Sequence, residues 1–204
     1  MTIEEYNSTV WTYYLQLEND FYNTLNYVEF STTNYSTFSK EYAKQFLSIC
    51  SEIDVVCKLL CAEISAPAPV KNINDYASII STYKNFSNAT VKFLYNNTTY
   101  SPWAGWAPNN SPNWWNGYNL VKHHRTSDSN FRKANLQNTF LALAALYILN
   151  RYYCNFVYAA KLMKEPSNKS SLFSMVGWPS SVSLGGGFIQ TLETNGSISV
   201  HFDG

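Results

Sequence analysis

Charge is scarce in this 204-residue chain, with 14% Asp, Glu, Lys and Arg, and the fourteen basic side chains balance the fourteen acidic ones. That balance removes the simplest electrostatic case for a nucleic-acid or membrane partner, so any such partner would need a local patch. Long apolar runs are also missing. The longest, Phe140 to Leu149, is ten residues, well short of the roughly 20 needed to span a bilayer. The start, MTIEEYNSTVW, lacks the basic n-region and apolar stretch of a secretory signal. The expectation is a cytoplasmic protein with no membrane partner.

Paired-cysteine spacings are absent too. Cys50, Cys57, Cys61 and Cys154 contain no CxxC unit, which argues against a zinc site or a dithiol redox motif. Three of them lie on one predicted helix, one and two turns apart, and read as small buried core residues. No metal and no cofactor are expected. H-E-x-x-H, G-x-S-x-G and the dinucleotide glycine fingerprint do not occur, so metalloprotease, serine hydrolase and Rossmann readings have no support. Ser183-Leu184-Gly185-Gly186-Gly187 lacks the lysine and following helix of a phosphate loop and reads as a flexible linker. Sequons such as Asn88-Ala89-Thr90 read as by-products of an Asn-, Ser- and Thr-rich composition.

What the chain has in quantity is aromatic side chain: sixteen Tyr, twelve Phe and six Trp. With so little charge, this composition excludes a solvated disordered tail and predicts one folded, mainly α-helical domain. The spacing predicts a bundle of about five helices over residues 1–165. A Ser/Gly-rich linker and small C-terminal β-hairpin follow over 166–204. A first helix is expected from Ile3 to Phe30, with Glu4 and Glu5 favoured by its N-terminal dipole. A second ends near Ile64, and its Phe46, Cys50, Ile53, Cys57, Leu60 and Ile64 form one stripe at alternating spacings of four and three. Ala66-Pro67-Ala68-Pro69 stops it.

A third, shorter helix is expected over Asn74–Phe86. Thr90 to Pro112 reads as an ordered loop with one short strand, anchored by Trp103 and Trp106. Ser111 as N-cap and Pro112 at the first helical position start a fourth helix that runs to Arg125. The fifth, Asn130 to Lys164, is apolar nearly all round in its middle, as a central helix should be. Two strands, Phe188-Ile189-Gln190 and Val200-His201-Phe202, with Asn195-Gly196 between them, read as the hairpin.

The chemistry-bearing residues crowd into the fourth helix: Trp114-Trp115-Asn116-Gly117-Tyr118-Asn119-Leu120-Val121-Lys122-His123-His124-Arg125. Helical spacing puts Trp114, Tyr118 and Val121 on one face and Asn116, Asn119 and His123 on the other, flanked by Lys122. A histidine can give and take protons at neutral pH, and neighbouring Lys and Arg can hold a phosphate and its developing charge. Those ingredients suit metal-free phosphodiester cleavage; a partly exposed helix histidine bonded to a neighbour is the plainer alternative. His124, Arg132 and Asn135 join Asn116 as candidate substrate-binding residues. Arg132, Asn135 and Asn138, at intervals of three, fit a face toward His123 or a solvated edge equally well.

Tyr118-Asn119-Leu120-Val121-Lys122-His123, on a helix preceding a long apolar one, resembles the signature of HEPN-type domains, helical ribonucleases of bacterial toxin and anti-phage defence systems. His123 matches the family's histidine and Asn119 its polar position, while Tyr118 stands where the family has arginine. The resemblance implies a homodimer whose motif helices meet across a shared cleft, RNA as substrate, and no metal. It assigns His123 as general acid/base, Lys122 and Arg125 as phosphate contacts in place of the missing arginine, and Asn119 as the group that positions the scissile phosphate. The alternative is a non-catalytic helical module whose Trp and Tyr residues bind another protein, such as an antitoxin.

Overall fold

A computed structural model describes residues 1–65, 69–158, 166, 168–178, 180–185, 188–192 and 198–202. The chain opens with α1 (Ile3–Glu5), where Thr2 and Glu5 form a reciprocal capping box. It continues without a break through a π-helical stretch, Tyr6–Trp11, into α2 (Thr12–Thr24). The wider turn buries Tyr6, Val10 and Trp11 together. The helix ends at Thr24 and not at Phe30, as the sequence had led us to expect. Thr24 Oγ1 donates to the Phe21 carbonyl and Asn26 Nδ2 to the Asn23 carbonyl, so short polar side chains take over the acceptors on which the next turn would build.

Ser39 caps α3 (Lys40–Ile64) by accepting the Tyr42 amide at 2.9 Å. The stripe expected of this helix is its core face, since Phe46, Cys50, Ile53, Cys57 and Leu60 are fully buried. Burial pushes the Cys50 and Cys57 thiols well above their usual range, and the Cys61 thiol up to about 11. The next helix, α4 (Ile73–Ile80), stops short of Phe86. A 3₁₀ turn, Tyr83–Asn88, follows, in which Lys84 (φ 43°) and Asn85 (φ 60°) adopt left-handed backbone that a continuing helix would exclude. Ala66-Pro67-Ala68 lies outside the described residues.

The 90–112 segment holds two strands and not one. β1 (Val91–Phe93) and β2 (Thr98–Tyr100) pair antiparallel, Val91 opposite Tyr100. Trp103 and Trp106 anchor it as expected: both are buried, and Trp103 Nε1 donates to the Ala145 carbonyl at 3.1 Å. α5 (Asn113–His124) begins one residue later than the Ser-Pro signal suggests, with Pro112 itself at the cap. The expected fifth helix is split into α6 (Asp128–Phe131) and α7 (Leu136–Val157). Asn135 causes the second start, its side chain accepting the Asn138 amide at 2.9 Å. Replacing Asn135 with Ala should lower stability by about 1 kcal/mol, read from the shift of a urea unfolding midpoint.

α7 packs along α3 and is buried on nearly every side. It is long and apolar enough to cross a membrane by length and composition, but 78% of its most apolar window is buried within this fold, as in a core helix. Its expected continuation to Lys164 falls outside the described residues.

β3 (Phe173–Met175) lies in the segment expected as an appendage, yet it pairs with β1 and completes a three-stranded sheet of order β2-β1-β3. Glu18 on α2 fixes this segment from behind. Its buried carboxylate accepts from Tyr14, from the Ser170 hydroxyl, and from the Ser171 amide and hydroxyl at 2.7 and 2.9 Å.

The C-terminal strands form a second antiparallel sheet: β4 (Ser180–Gly185), β5 (Phe188–Leu192) and β6 (Ile198–Phe202). The expected hairpin is the β5–β6 pair, Phe188 opposite Phe202, and its Asn195-Gly196 turn lies outside the described residues. Ser183 to Gly185, read as linker, are strand instead. Val182 and Leu184 alternate with serines at the period of two that a strand requires.

Candidate functional site

α5 is amphipathic in the manner its spacing predicts. Trp114, Trp115, Tyr118 and Val121 are buried, while Asn116, Asn119, Lys122, His123, His124 and Arg125 are exposed. The buried face is held by rings and by one directed bond. Trp114 Nε1 donates to the Pro102 carbonyl at 2.8 Å, and the Tyr118 ring lies 5.0 Å from Trp115 and 6.2 Å from Phe46 on α3. Gly117 permits the close approach of the segment leading into α7, since a Cβ there would meet Asn138 Nδ2 at 3.1 Å. Lys133, Asn138 and Gly117 thus set the depth at which α5 sits.

Tyr118 is only 6% exposed. Burial raises its hydroxyl, partly offset by Lys122, whose Nζ stands 5.5 Å over the ring centre. Lys122 is thus the cation that stands over Tyr118, one helical turn further on. Lys122, His123, His124 and Arg125 occupy the last turn and C-cap of α5, where the helix dipole favours positive charge.

His123 is exposed on this basic end. Its described neighbour is the ring of His124, 6.3 Å away between centres, and no carboxylate lies within hydrogen-bonding distance among the described residues. The Asp54 carboxylate on α3 is engaged elsewhere: it accepts from Tyr76 at 2.6 Å and from Lys58 at 2.5 Å.

The other candidates divide. Asn116 and Asn119 present side-chain amides without hydrogen-bond partners among the described residues. Arg132 does not share their helix; its guanidinium pairs with Asp128 at 2.7 Å and lies 4.6 Å over the Phe38 ring. Asn135 is committed at both ends of its amide, capping α7 and donating to the Arg132 carbonyl at 3.1 Å. These two hold the α6–α7 corner together.

Sequence reasoning did not identify the cleft beside α5. It has a volume of about 360 Å³ and lies among α3, the start of α4 and α5, with Lys71, Asn72, Asn119 and Lys122 on its walls. Lys71 gave no signal in the sequence, because it sits in a connection about fifty residues from Lys122 and only the packing of α4 on α3 brings them to one cavity. His123 is not part of this lining. Another cleft of about 440 Å³, between the end of α2 and the start of α3, is lined by Tyr27, Val28 and Tyr42 among others and holds none of the α5 residues. Among the described residues, no group of three or more His, Cys, Asp or Glu side chains is placed to hold a metal. Comparison of the chain with protein-family models, with curated proteins and with solved structures finds no match in any of the three.

Proposed function

We propose that the chain is a HEPN-like, metal-independent endoribonuclease acting through the exposed face of α5, in a cytoplasmic toxin or anti-phage defence setting. One observation carries this reading. Asn119, Lys122 and His123 of the Tyr118–His123 motif stand on one solvent face of a helix whose other face is locked into the core by Trp114, Trp115, Tyr118 and Val121. In this account His123 moves the proton, Lys122 and Arg125 take the phosphate charge, and Asn119 orients the scissile phosphate. Asn116 and His124 contact the flanking RNA. Arg132 and Asn135, tied into the corner, act on substrate only through the position of that corner. A second proton-transfer group comes from the other subunit of a homodimer, whose α5 faces the first across a shared cleft.

The test is cleavage of pooled tRNA in EDTA by the wild type and by His123→Ala. General acid–base catalysis contributes about 10²- to 10⁴-fold, so a loss of at least about 100-fold is expected, with the fold unchanged by circular dichroism because His123 is exposed.

One feature favours a different reading, a non-catalytic module that binds another protein, such as an antitoxin. Tyr118 is buried behind α5 and supplies no cation to the exposed face. RNA left intact by both wild type and His123→Ala would favour that reading.

A further inference from the structure

The cleft beside α5 has walls from three parts of the chain: Ser51 and Asp54 on α3, Lys71 and Asn72 before α4, and Asn119 and Lys122 on α5. Its charge is not that of a simple ion-pair network. The Asp54 carboxylate already accepts from Lys58 and Tyr76, so neither Lys71 nor Lys122 is neutralised by it through a direct bond. Lys122 is exposed and rests over the Tyr118 ring, and Lys71 is exposed on the wall formed by the connection before α4. The Asn119 amide and the Ser51 hydroxyl also line it, donors and acceptors suited to a sugar and a base edge, whereas the Asn72 amide is committed to the α4 cap, accepting from the Asn74 and Asp75 amides and donating to the Asp75 carboxylate. The Trp115 and Tyr118 rings also line the cavity. The volume, about 360 Å³, falls within the roughly 300–1,000 Å³ of small-ligand sites.

We infer that this cleft is a nucleotide subsite, holding one ribonucleotide of the substrate by its phosphate between Lys71 and Lys122 and its base and ribose against Asn119 and Ser51. This rests on the ribonuclease reading above and adds to it. Asn119 and Lys122 belong both to the motif face and to the cleft, so a strand seated there runs directly onto His123. Lys71 then supplies, from another part of the chain, a cation that Tyr118 does not.

The test uses the full chain with uridine 3′-monophosphate as probe, and uridine and inorganic phosphate as comparisons, followed through the Trp115 indole and Asn119 amide NMR signals. Both signals should shift with the nucleotide. Each lysine makes a charge-assisted phosphate contact, so Lys71→Ala and Lys122→Ala should each weaken binding about tenfold or more. Lys84→Ala, on a distant surface, should leave it unchanged. Lys71→Ala should also slow RNA cleavage, while His123→Ala should abolish cleavage and still bind the nucleotide. Cleavage that depends on His123 but not on Lys71, or nucleotide binding indifferent to Lys71, overturns the subsite and leaves the ribonuclease reading standing. Inorganic phosphate binding as tightly as the nucleotide also overturns it. Lys71-dependent nucleotide binding with no RNA cleavage upholds the subsite and removes the ribonuclease.

Discussion

Glu18→Ala should unfold at markedly lower urea than the wild type, with a loss of about 3–5 kcal/mol. The carboxylate is 2% exposed and gathers four donors from two distant parts of the chain. Truncation removes these charge-assisted bonds and takes the ionic acceptor from the buried Tyr14 and Ser170 hydroxyls. The Tyr14 ring is stacked on Trp11 at 4.8 Å and cannot swing out to water without breaking that contact. Glu18→Gln keeps the shape and part of the acceptor capacity, so its loss should be smaller, about 1–3 kcal/mol. Because Ser170 and Ser171 lead directly into β3, hydrogen exchange at Phe173–Met175 should accelerate more in Glu18→Ala than exchange in α3. Equal acceleration throughout would mean that Glu18 supports the whole core and not the β3 attachment in particular.

Phe140→Ala should be comparably damaging, about 3–5 kcal/mol. The ring sits at the junction of α2, α7 and the β1 sheet. Its centre lies 4.5 Å from Phe30, 4.7 Å from Tyr100, 4.8 Å from Phe93, 5.6 Å from Phe173 and 6.0 Å from Phe21. Each neighbour comes from a different segment, and most are held by their own backbone pairing, so the cavity left by the missing ring cannot collapse cheaply. Phe140→Leu refills part of the volume and should recover about half of the loss. A cost below about 1 kcal/mol for Phe140→Ala in chemical denaturation would mean that the aromatic cluster is loosely packed.

The helices were legible because their patterns are local. The α3 stripe, the apolar middle of α7 and the two faces of α5 follow from spacings of three and four residues, and burial falls where those spacings put it. Helix ends were less legible: Thr24, Asn26 and Asn135 act through side-chain bonds to the backbone that composition does not order in advance. Least visible were contacts across long stretches of chain. β3 reads as part of a Ser-rich tail until it is seen beside β1, more than eighty residues earlier, and the Glu18 cluster joins residues 18 and 170. The same holds for the site. The motif face of α5 lies within twelve residues, whereas the cleft that adjoins it needs Lys71 from another connection. Arg132 and Asn135 had the right spacing for a helix face, but the chain breaks its helix between them, and their side chains bond locally to hold that corner.

The most direct test of the proposal that α5 cleaves RNA is the chemistry of the ends it leaves. Metal-free cleavage with a base at the ribose has the 2′-oxygen bond to phosphorus as the P–O5′ bond breaks and the leaving oxygen takes a proton. Each cut then yields a 2′,3′-cyclic phosphate and a 5′-hydroxyl. Wild-type protein and His123→Ala incubated with one structured RNA in EDTA, with end-specific labelling of the products, decide it. Cyclic-phosphate ends produced by the wild type and absent with His123→Ala are the predicted result. Intact RNA with the wild type, 3′-hydroxyl ends, or undiminished cleavage by His123→Ala would contradict it.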